Sequence, residues 1–447
     1  MKAKLLLLAI LLCAVSISYG QWTRDSLSEG KIRMAGATLG TKAYFAGGDV
    51  GVPGVGWHYT DNVEIYDMDT RTWQYDYLTQ AREMPVGVSC GDKVFIAGGI
   101  NVAGDLSSRV DIFYSGGLWL ETELSVPRFA ISAVSNDSLA LFAGGGTISG
   151  EGFDVVDIYN INTNHWSIKH LSAPRRGMGS AVAGDMAFLA GGEHLGTNTD
   201  RVDIYHFSTG TWTTETLSLA RAWIGATAAG NKVIFAGGEN GDGLTARVDI
   251  YDIETGTWDT AHLSMARAFF GQVAVTVCGK AYFVGGNSFE TDYDTIDIYD
   301  PATNTWSVMT MPNRLTDHTV LAIESDTSIL IGGGWSYYTY PDGIARKNVE
   351  IYKDSTCIWA GNITMKNDKG VFNVFPNPSS GNIHLETGND NHKSMQATIY
   401  NIQGQMVFTQ ILEPGNMELN LRLTDGIYLL NVISDNATHM ELITIQN

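Results

Sequence analysis

Basic side chains recur at a fixed distance from tryptophans along most of the chain. Six tryptophans are followed nine residues later by a lysine or an arginine, and a seventh is followed by an arginine at eight. These basic residues are Lys31, Arg82, Arg128, Arg175, Arg221, Arg267 and Arg314. Guanidinium groups bind carboxylates and sulfates through paired hydrogen bonds. If the side chains meet at one opening, they predict an anion-binding ring; alternatively, each pairs with an aspartate of a neighbouring repeat and serves the fold.

Two segments concentrate aromatic side chains. "DVGVPGVGWHYTDN" (49–62) contains Trp57, His58 and Tyr59, and "GWSYYTYPDGIARKN" (334–348) contains Trp335, Tyr337, Tyr338 and Tyr340. Exposed aromatic rings stack on sugar faces or anchor protein partners. We therefore predict that these residues and the six arginines bind a ligand; the alternative is a hydrophobic cap that packs on itself.

Motifs of known catalytic chemistry are absent from the sequence. It contains no H-E-x-x-H, no G-x-S-x-G and no phosphate-binding glycine loop, and its ten histidines are scattered. We predict no catalytic residue, no metal ligand and no cofactor.

A unit of about 46 to 51 residues repeats seven times and must position these side chains. Each unit has an apolar strand ending in a glycine doublet, then a strand such as "VDIY", then a tryptophan six or seven residues further on. The doublets begin at Gly47, Gly98, Gly144, Gly191, Gly237, Gly285 and Gly332. Period-two alternation indicates strands, and a small antiparallel sheet cannot bury both faces alone. Such sheets bury one another when they stack radially.

This pattern resembles the kelch repeat over about residues 30–360. The resemblance implies an all-β fold with a seven-bladed kelch-type β-propeller over residues 21–360. Two departures, Phe113 in place of tyrosine and the shortened spacing to Trp119, both fall in the second repeat. In a four-stranded blade, the loop after the glycine doublet and the loop into the next blade emerge on one face. We therefore expect the arginines and the aromatic segments on that face, with segments 49–62 and 334–348 adjacent at ring closure.

Two tryptophans compete for the outermost strand of the last blade. Trp22 has Leu27 at five and Lys31 at nine residues, as Trp212 has Leu217 and Arg221. Trp359 has the right distance from Tyr352 but no leucine five residues later. The offsets favour Trp22, so that the N-terminal strand would close the ring without a covalent bond.

The last 77 residues form a different module. Alternating segments at 371–386, 397–407 and 426–435 predict a small Ig-like β-sandwich after a polar linker at 361–370. The tail resembles the type A C-terminal sorting domain of the type IX secretion system. The matching residues are Phe375-Pro376-Asn377-Pro378, Gly381, Tyr400-Asn401, Gly404, Leu423 and Gly426-Ile427-Tyr428. The resemblance implies that residues 371–447 contact the secretion machinery of a Bacteroidota-type cell and direct export across both membranes.

The N-terminus and the composition indicate where the protein acts and which classes of partner are excluded. Lys2 and Lys4 precede an apolar run at 5–15, so residues 1–20 are predicted to be a signal peptide. A net charge of −20 argues against nucleic acid as a partner, and no later segment is apolar enough to span a membrane. Cys90, Cys278 and Cys357 allow one disulfide but do not require it.

These features predict a secreted or cell-surface protein that binds an extracellular glycan or protein through one face of the propeller. The alternative is a glycan-active enzyme, a sugar epimerase or a lyase-like activity, with its site at the propeller axis. A shallow aromatic rim would favour the binding protein, whereas closely paired acidic and basic residues in a deep pocket would favour the enzyme.

Overall fold

We analysed a computed structural model of the chain. It describes residues 21–52, 56–114, 119–269, 273–286, 292–315, 317–336, 344–354, 372–387, 395–400, 406–412, 417–434 and 437–446. The predicted signal peptide, the predicted linker, Cys357, Trp359 and three tyrosines of the last aromatic segment (Tyr337, Tyr338 and Tyr340) lie outside these residues.

Seven four-stranded antiparallel sheets form blades 1 to 7, and each runs from an inner strand at the axis to an outer strand. The inner strands are β3 (Ala35–Leu39), β10 (Val86–Cys90), β15 (Ser132–Ser135), β19 (Gly179–Ala183), β25 (Gly225–Ala229), β31 (Ala274–Val277) and β35 (Thr319–Ile323). The second strands are β4 (Lys42–Ala46), β11 (Lys93–Ala97), β16 (Leu139–Ala143), β20 (Met186–Ala190), β26 (Lys232–Ala236), β32 (Lys280–Val284) and β36 (Ser328–Gly332). Each second strand is almost entirely buried, because the blades on either side cover both of its faces.

The third and outer strands contain the repeated "VDIY" and tryptophan segments. The third strands are β7 (Asn62–Asp67), β13 (Arg109–Tyr114), β17 (Phe153–Asn160), β23 (Arg201–His206), β29 (Arg247–Asp252), β33 (Tyr293–Asp300) and β39 (Asn348–Lys353). The outer strands of blades 1 to 6 are β8 (Thr72–Tyr77), β14 (Trp119–Glu123), β18 (His165–Arg175), β24 (Thr211–Thr216), β30 (Thr257–His262) and β34 (Thr305–Leu315). In blade 5, Tyr251 and Trp258 pack with ring centroids 4.9 Å apart, as the repeat predicts.

The ring closes through the N-terminal strand β1 (Gln21–Ser26). Each inner strand contacts the next around the axis, and β35 contacts β3. Strand β1 pairs antiparallel with β39, from Gln21 opposite Lys353 to Ser26 opposite Asn348. Trp22 packs on Tyr352 with ring centroids 5.2 Å apart, and Leu27 is 1% exposed. The prediction that Trp22 supplies the outer strand of blade 7 is confirmed.

One glycine doublet is displaced from its predicted position. In blade 7 the two left-handed glycines are Gly333 and Gly334, with φ of 66° and 102°, like Gly47 and Gly48 in blade 1. Gly332 instead ends β36, so the doublet begins one residue later than the sequence spacing indicated.

Short strands also form in the connecting loops, on the face of the propeller where the glycine doublets lie. They are β2 (Lys31–Ile32), β5 (Asp49–Val52), β6 (Gly56–Tyr59), β9 (Arg82–Glu83), β12 (Ile100–Asn101), β21 (Glu193–His194), β22 (Thr197–Asn198), β27 (Glu239–Asn240), β28 (Gly243–Leu244), β37 (Trp335–Ser336) and β38 (Ile344–Ala345). A single 3-10 turn, Glu324–Asp326, is the one helical element among the described residues. Within them, no helix is long and apolar enough to cross a membrane.

The tail folds as two sheets around one core, as predicted for a β-sandwich. Its strands are β40 (Phe372–Phe375), β41 (Asn382–Thr387), β42 (Met395–Tyr400), β43 (Met406–Leu412), β44 (Glu418–Asn420), β45 (Gly426–Ser434) and β46 (Ala437–Ile445). One sheet has the order β40-β41-β44 and the other β43-β42-β45-β46. Ile383 and Leu419 of the first sheet share a hydrophobic cluster with Ile399 and Leu430 of the second.

The cysteines of the propeller differ in state. Cys90 is free and buried, and burial raises the pKa of its thiol to about 12. Cys278 is disulfide-bonded, and its partner lies outside the described residues.

Deletion of residues 21–28 should strongly destabilise the propeller, because it exposes the edge of β39 and uncovers Tyr352. Trp22→Ala alone should lower the free energy of unfolding by about 2–3 kcal/mol, measured by urea denaturation. Tyr75→Ala, on the exposed outer strand of blade 1, is the control and should change it by less than about 0.5 kcal/mol. A deletion variant with an unchanged melting temperature would refute closure of the ring by the N-terminal strand.

Candidate functional site

The arginines of the repeat are buried between blades. Arg82, Arg128, Arg175, Arg221 and Arg267 have no exposed surface. Each forms an ion pair with the aspartate of the next blade's third strand, with nitrogen–oxygen distances of 2.5 to 2.7 Å. The pairs are Arg82–Asp111, Arg128–Asp157, Arg175–Asp203, Arg221–Asp249 and Arg267–Asp297. Burial lowers the pKa of each guanidinium, and its aspartate opposes that shift.

These guanidinium groups also bind the backbone of the next blade. Arg175 donates from Nη2 to the carbonyl of Leu189 at 3.1 Å, and the other four donate to the equivalent carbonyls. At the closure between blades 7 and 1, Lys31 and Glu64 form the corresponding buried pair at 2.8 Å. The prediction that these five arginines bind a ligand is therefore wrong, because none of their guanidinium groups reaches solvent. Each arginine instead pairs with an aspartate of the neighbouring blade and stabilises the fold.

The junction of blades 6 and 7 departs from this pattern. Leu315, which is 0% exposed, stands nine residues after Trp306, where the other blades have a basic residue. Arg314 is exposed instead and lies 3.5 Å from Asp294, so it does not join a ring of cations. Glu350 of blade 7 is bound by Arg24 at 2.7 Å and Asn313 at 2.6 Å.

Three positions per blade surround the axial opening just beyond the buried pairs; we call them the mouth. They are the tenth and eleventh residues after each tryptophan and the residue after each glycine doublet. Backbone bridges join the tenth residue to the residue after a doublet, as in Arg176 opposite Glu193 and Ala222 opposite Glu239. The framework is repeated, but the side chains at these positions differ from blade to blade.

Hydrogen bonds link the eleventh residues of successive blades around the axis. The amide of Arg33 donates to the carbonyl of Asp317 at 3.0 Å, and that of Met84 donates to Arg33 at 3.1 Å. A second run on the opposite side leads from Phe269 through Trp223 and Gly177 to Ala130. Arg33, Met84, Ala130, Trp223 and Asp317 all have φ between 50° and 55°. Left-handed backbone at non-glycine residues is costly and is often associated with functional sites.

Arg33 is the centre of a charged cluster where blades 7, 1 and 2 meet. Its guanidinium lies 3.2 Å from Glu83, 3.3 Å from Asp317 and 3.6 Å from Asp49. The Tyr59 hydroxyl donates to Oε1 of Glu83 at 2.8 Å. Burial, together with the hydrogen bond to Glu83 and its charge, raises the pKa of Asp49 to about 8. The shift favours the protonated form of Asp49 beside the Glu83 carboxylate.

A second cluster lies across the mouth, in blades 3 to 5. Arg176 pairs with Glu193 at 2.8 Å and lies over the ring of Phe129, 5.6 Å from its centroid. Burial and the charge of Glu193 raise the pKa of Glu239, whereas a hydrogen bond with Trp223 lowers it. The Trp223 ring covers Gly177, where a Cβ would lie 3.1 Å from the indole.

The two aromatic segments meet at the rim of the mouth, as predicted. Trp57 on β6 stacks on Trp335 on β37, with ring centroids 4.9 Å apart and an angle of 28° between the planes. Trp57 remains 45% exposed, and its ring lies over Gly51 on the paired strand. His58 is exposed and Tyr59 is partly buried. Tyr337, Tyr338 and Tyr340 lie outside the described residues, so their part in the site remains a prediction.

The charge of the mouth is opposite in sign to the predicted one. Its described positions include five carboxyl groups, Asp49, Glu83, Glu193, Glu239 and Asp317, and two guanidinium groups, Arg33 and Arg176. Behind it, residues at the inner strands of blades 2 to 6 line an axial cavity of about 180 Å³. These residues are small, such as Gly87 and Ser132, or apolar, such as Ile131. Among the described side chains, no group of three or more His, Cys, Asp or Glu is placed to hold a metal ion.

Sequence reasoning missed the charged residues of the mouth, although it singled out Trp335, which follows the glycine doublet of blade 7. The missed residues lie one or two positions after the repeated basic residue, as Glu83 and Arg33 do, or directly after a doublet, as Asp49 does. Their variation within an otherwise regular unit was the available clue.

The buried pairs should be essential to stability. Arg175→Met should lower the free energy of unfolding by about 3–5 kcal/mol, because it leaves Asp203 charged and buried. The double variant with Asp203→Leu should recover most of this loss, and Arg314→Met should cost less than about 0.5 kcal/mol. Urea denaturation measures all three. A loss below about 1 kcal/mol for Arg175→Met would contradict the scaffold role.

Comparisons with known proteins agree with this architecture. Residues 130–334 match the family model described as the KLHDC2/KLHL20/DRC7 Kelch-repeats domain. Residues 373–446 match the model of the secretion system C-terminal sorting domain. A search of curated proteins gave no match.

A solved structure described as "Structure of YjhT" resembles the propeller. The similarity has a TM-score of 0.50 and covers 64% of this chain and 99% of that one, at 15% sequence identity. At this identity the likeness shows the fold alone. The sorting domain indicates export by type IX secretion to the cell surface or the extracellular space. The chain therefore carries a kelch-repeat β-propeller domain followed by a C-terminal secretion-system sorting domain.

Proposed function

We propose that this protein is an exported, non-enzymatic binding protein that recognises an extracellular glycan through the mouth face of its propeller. The observation that carries the proposal is the stacked pair of Trp57 and Trp335, whose outer ring is 45% exposed at the rim. An exposed indole held against a second indole is a rigid platform for the apolar face of a sugar. Loops on a rigid scaffold are common places for binding residues.

Polar groups beside the platform suit the hydroxyl groups of a sugar. Asp49 and Tyr59 are paired across the β5–β6 hairpin, and Trp57 lies two residues further along the strand. A strand rises about 3.3 Å per residue, so the platform and these groups are roughly 7 Å apart. A sugar ring on Trp57 would therefore bring its substituents within reach of Tyr59 and the carboxyl groups.

Export follows from the tail and, in this proposal, from the N-terminus. Residues 1–20 would direct the chain to the periplasm as a signal peptide, and residues 371–447 would then engage the type IX machinery. The mature protein would act outside the cell or attached to its surface.

A glycan-active enzyme at the propeller axis is the second candidate. It is favoured by the elevated pKa of Asp49, about 8, next to Glu83 and Arg33, since an acid that titrates near neutral pH can transfer protons to a substrate. In this reading the same mouth would convert the glycan that it binds.

A protein ligand is the third candidate, and it is favoured by exposed apolar side chains at the tips of loops in blades 2 to 4. Val102, Ile148 and Leu195 are 61% to 70% exposed on the mouth face. Such residues commonly anchor protein partners.

A glycan array probed with the wild type, Trp57→Ala and Trp335→Ala tests the proposal. Each variant should weaken binding of the recognised glycan by about tenfold or more, because it removes a stacking surface. Tyr75→Ala, which removes an exposed aromatic ring from the outer strand of blade 1, should leave binding unchanged.

Binding unaffected by the double change of Trp57 and Trp335 would refute this site. NMR spectra of each bound glycan over time separate the two glycan hypotheses, since a binding protein returns the sugar unaltered. Conversion of the sugar by the wild type but not by Asp49→Asn would establish the enzyme instead.

A further inference from the structure

The mouth presents acceptors rather than anion-binding donors. Arg33 is held by three carboxylates of the protein, and Arg176 is held by Glu193 and also donates to the carbonyl of Thr147 at 2.9 Å. Carboxyl groups of the protein therefore balance both guanidinium charges, although the Arg33 side chain is still 41% exposed. The mouth still has an excess of acidic groups, because five carboxyl groups, of which Asp49 favours its protonated form, surround two guanidinium groups.

One carboxyl oxygen in the first cluster lacks a donor. The side chain of Asp49 is 7% exposed, and its Oδ1 receives no hydrogen bond from any residue that the structure describes. A buried polar atom without a partner is unfavourable, and such atoms in native sites often mark a missing ligand group. Asp49 pairs with Tyr59 on β6, two residues from Trp57, so its carboxyl group belongs to the same end of the hairpin as the Trp57 platform.

Resting on the glycan-binding function proposed above, we propose that the glycan recognised at the mouth carries free amino groups rather than carboxylates. Its sugar ring stacks on Trp57, and an ammonium group of the ring or of its neighbour binds Asp49 and Glu83. Asp317, on the other side of Arg33, contributes to the same negative field. An ammonium supplies three donors to a cluster that has an excess of acceptors.

Proton exchange accompanies this binding. The raised pKa of Asp49, about 8, favours a proton on its carboxyl group beside Glu83 at neutral pH. The incoming ammonium replaces that proton as the positive partner of the two oxygen atoms. Binding should therefore release a proton to the buffer, whereas a neutral sugar should release none.

Three pentasaccharides of matched length distinguish the ligand classes by isothermal titration calorimetry at pH 7. They are the pentamers of β-1,4-linked glucosamine, of its N-acetylated form, and of galacturonic acid. We expect the glucosamine pentamer to bind about tenfold more tightly than the N-acetylated one, and the galacturonic acid pentamer to bind least. Raising the salt concentration should weaken the glucosamine pentamer most. Titrations in buffers of different ionisation enthalpy measure the released proton.

Two variants test the residues, each with the full chain. Asp49→Asn should weaken the glucosamine pentamer by about tenfold and abolish proton release, while binding of the N-acetylated pentamer changes little. Asp317 is less buried than Asp49, so its substitution is less disruptive to folding. Asp317→Asn should reduce only the affinity for the glucosamine pentamer. This variant keeps the test decisive if Asp49→Asn does not fold. Glu254→Gln, an exposed turn residue between β29 and β30, is the matched control and should have no effect.

Each contrary result has a distinct meaning. Equal affinity for the glucosamine and N-acetylated pentamers, with both weakened by Trp57→Ala, would overturn this inference and leave the proposed function standing. Tighter binding of the galacturonic acid pentamer would do the same. If no sugar binds, or if a pentalysine peptide binds more tightly than every sugar, both the inference and the proposed function fail.

Discussion

The buried ion pair between successive blades is the interaction on which the rest of the structure depends. A guanidinium at the end of one blade reaches the aspartate in the third strand of the next blade and the carbonyl of its second strand, as Arg175 does with Asp203 and Leu189. Both partners lie inside, so each requires the other. The contact fixes the spacing of neighbouring blades and the position of the loop that follows the arginine. The lysine–glutamate pair Lys31–Glu64 performs the same role where the ring closes.

Fixing that loop also fixes the mouth. The residues that follow each buried basic residue bridge to the segment after a glycine doublet and donate hydrogen bonds around the axis. Their backbone is thus common to the blades, and their side chains are free to differ. Three consecutive residues of sequence thus have two roles. The repeated basic residue holds the ring together, and the two variable residues after it contribute to an acidic opening with aromatic residues at its rim. The axial cavity behind the opening is lined by small residues, which places the distinctive chemistry at the mouth.

The sequence predicted much of the fold because the repeat is regular. The spacing of the repeat predicts the blades, and closure of a ring predicts two further contacts. These are the pairing of the Trp22 strand with blade 7 and the stacking of Trp57 on Trp335. The sequence left the role of the arginines open between ligand binding and pairing with an aspartate of a neighbouring repeat, since their burial depends on an aspartate one blade away. The alternation of "VDIY" held the clue: an aspartate in a strand covered on both faces needs a buried cation. Three consecutive glycines in blade 7 concealed the position of the doublet, which only the backbone angles resolve.

Hydrogen–deuterium exchange with the tightest glycan of the array bound tests the central claim, that the mouth is the binding site, most directly. The account predicts slower exchange in segments 49–59, 83–84, 193–195 and 317–318, where ligand contacts would order or cover the loops of the mouth. The turns between third and outer strands, such as 206–211 and 252–257, lie at the opposite ends of the blades and should exchange at their free rate. Protection confined to those turns or to the outer strands would contradict it.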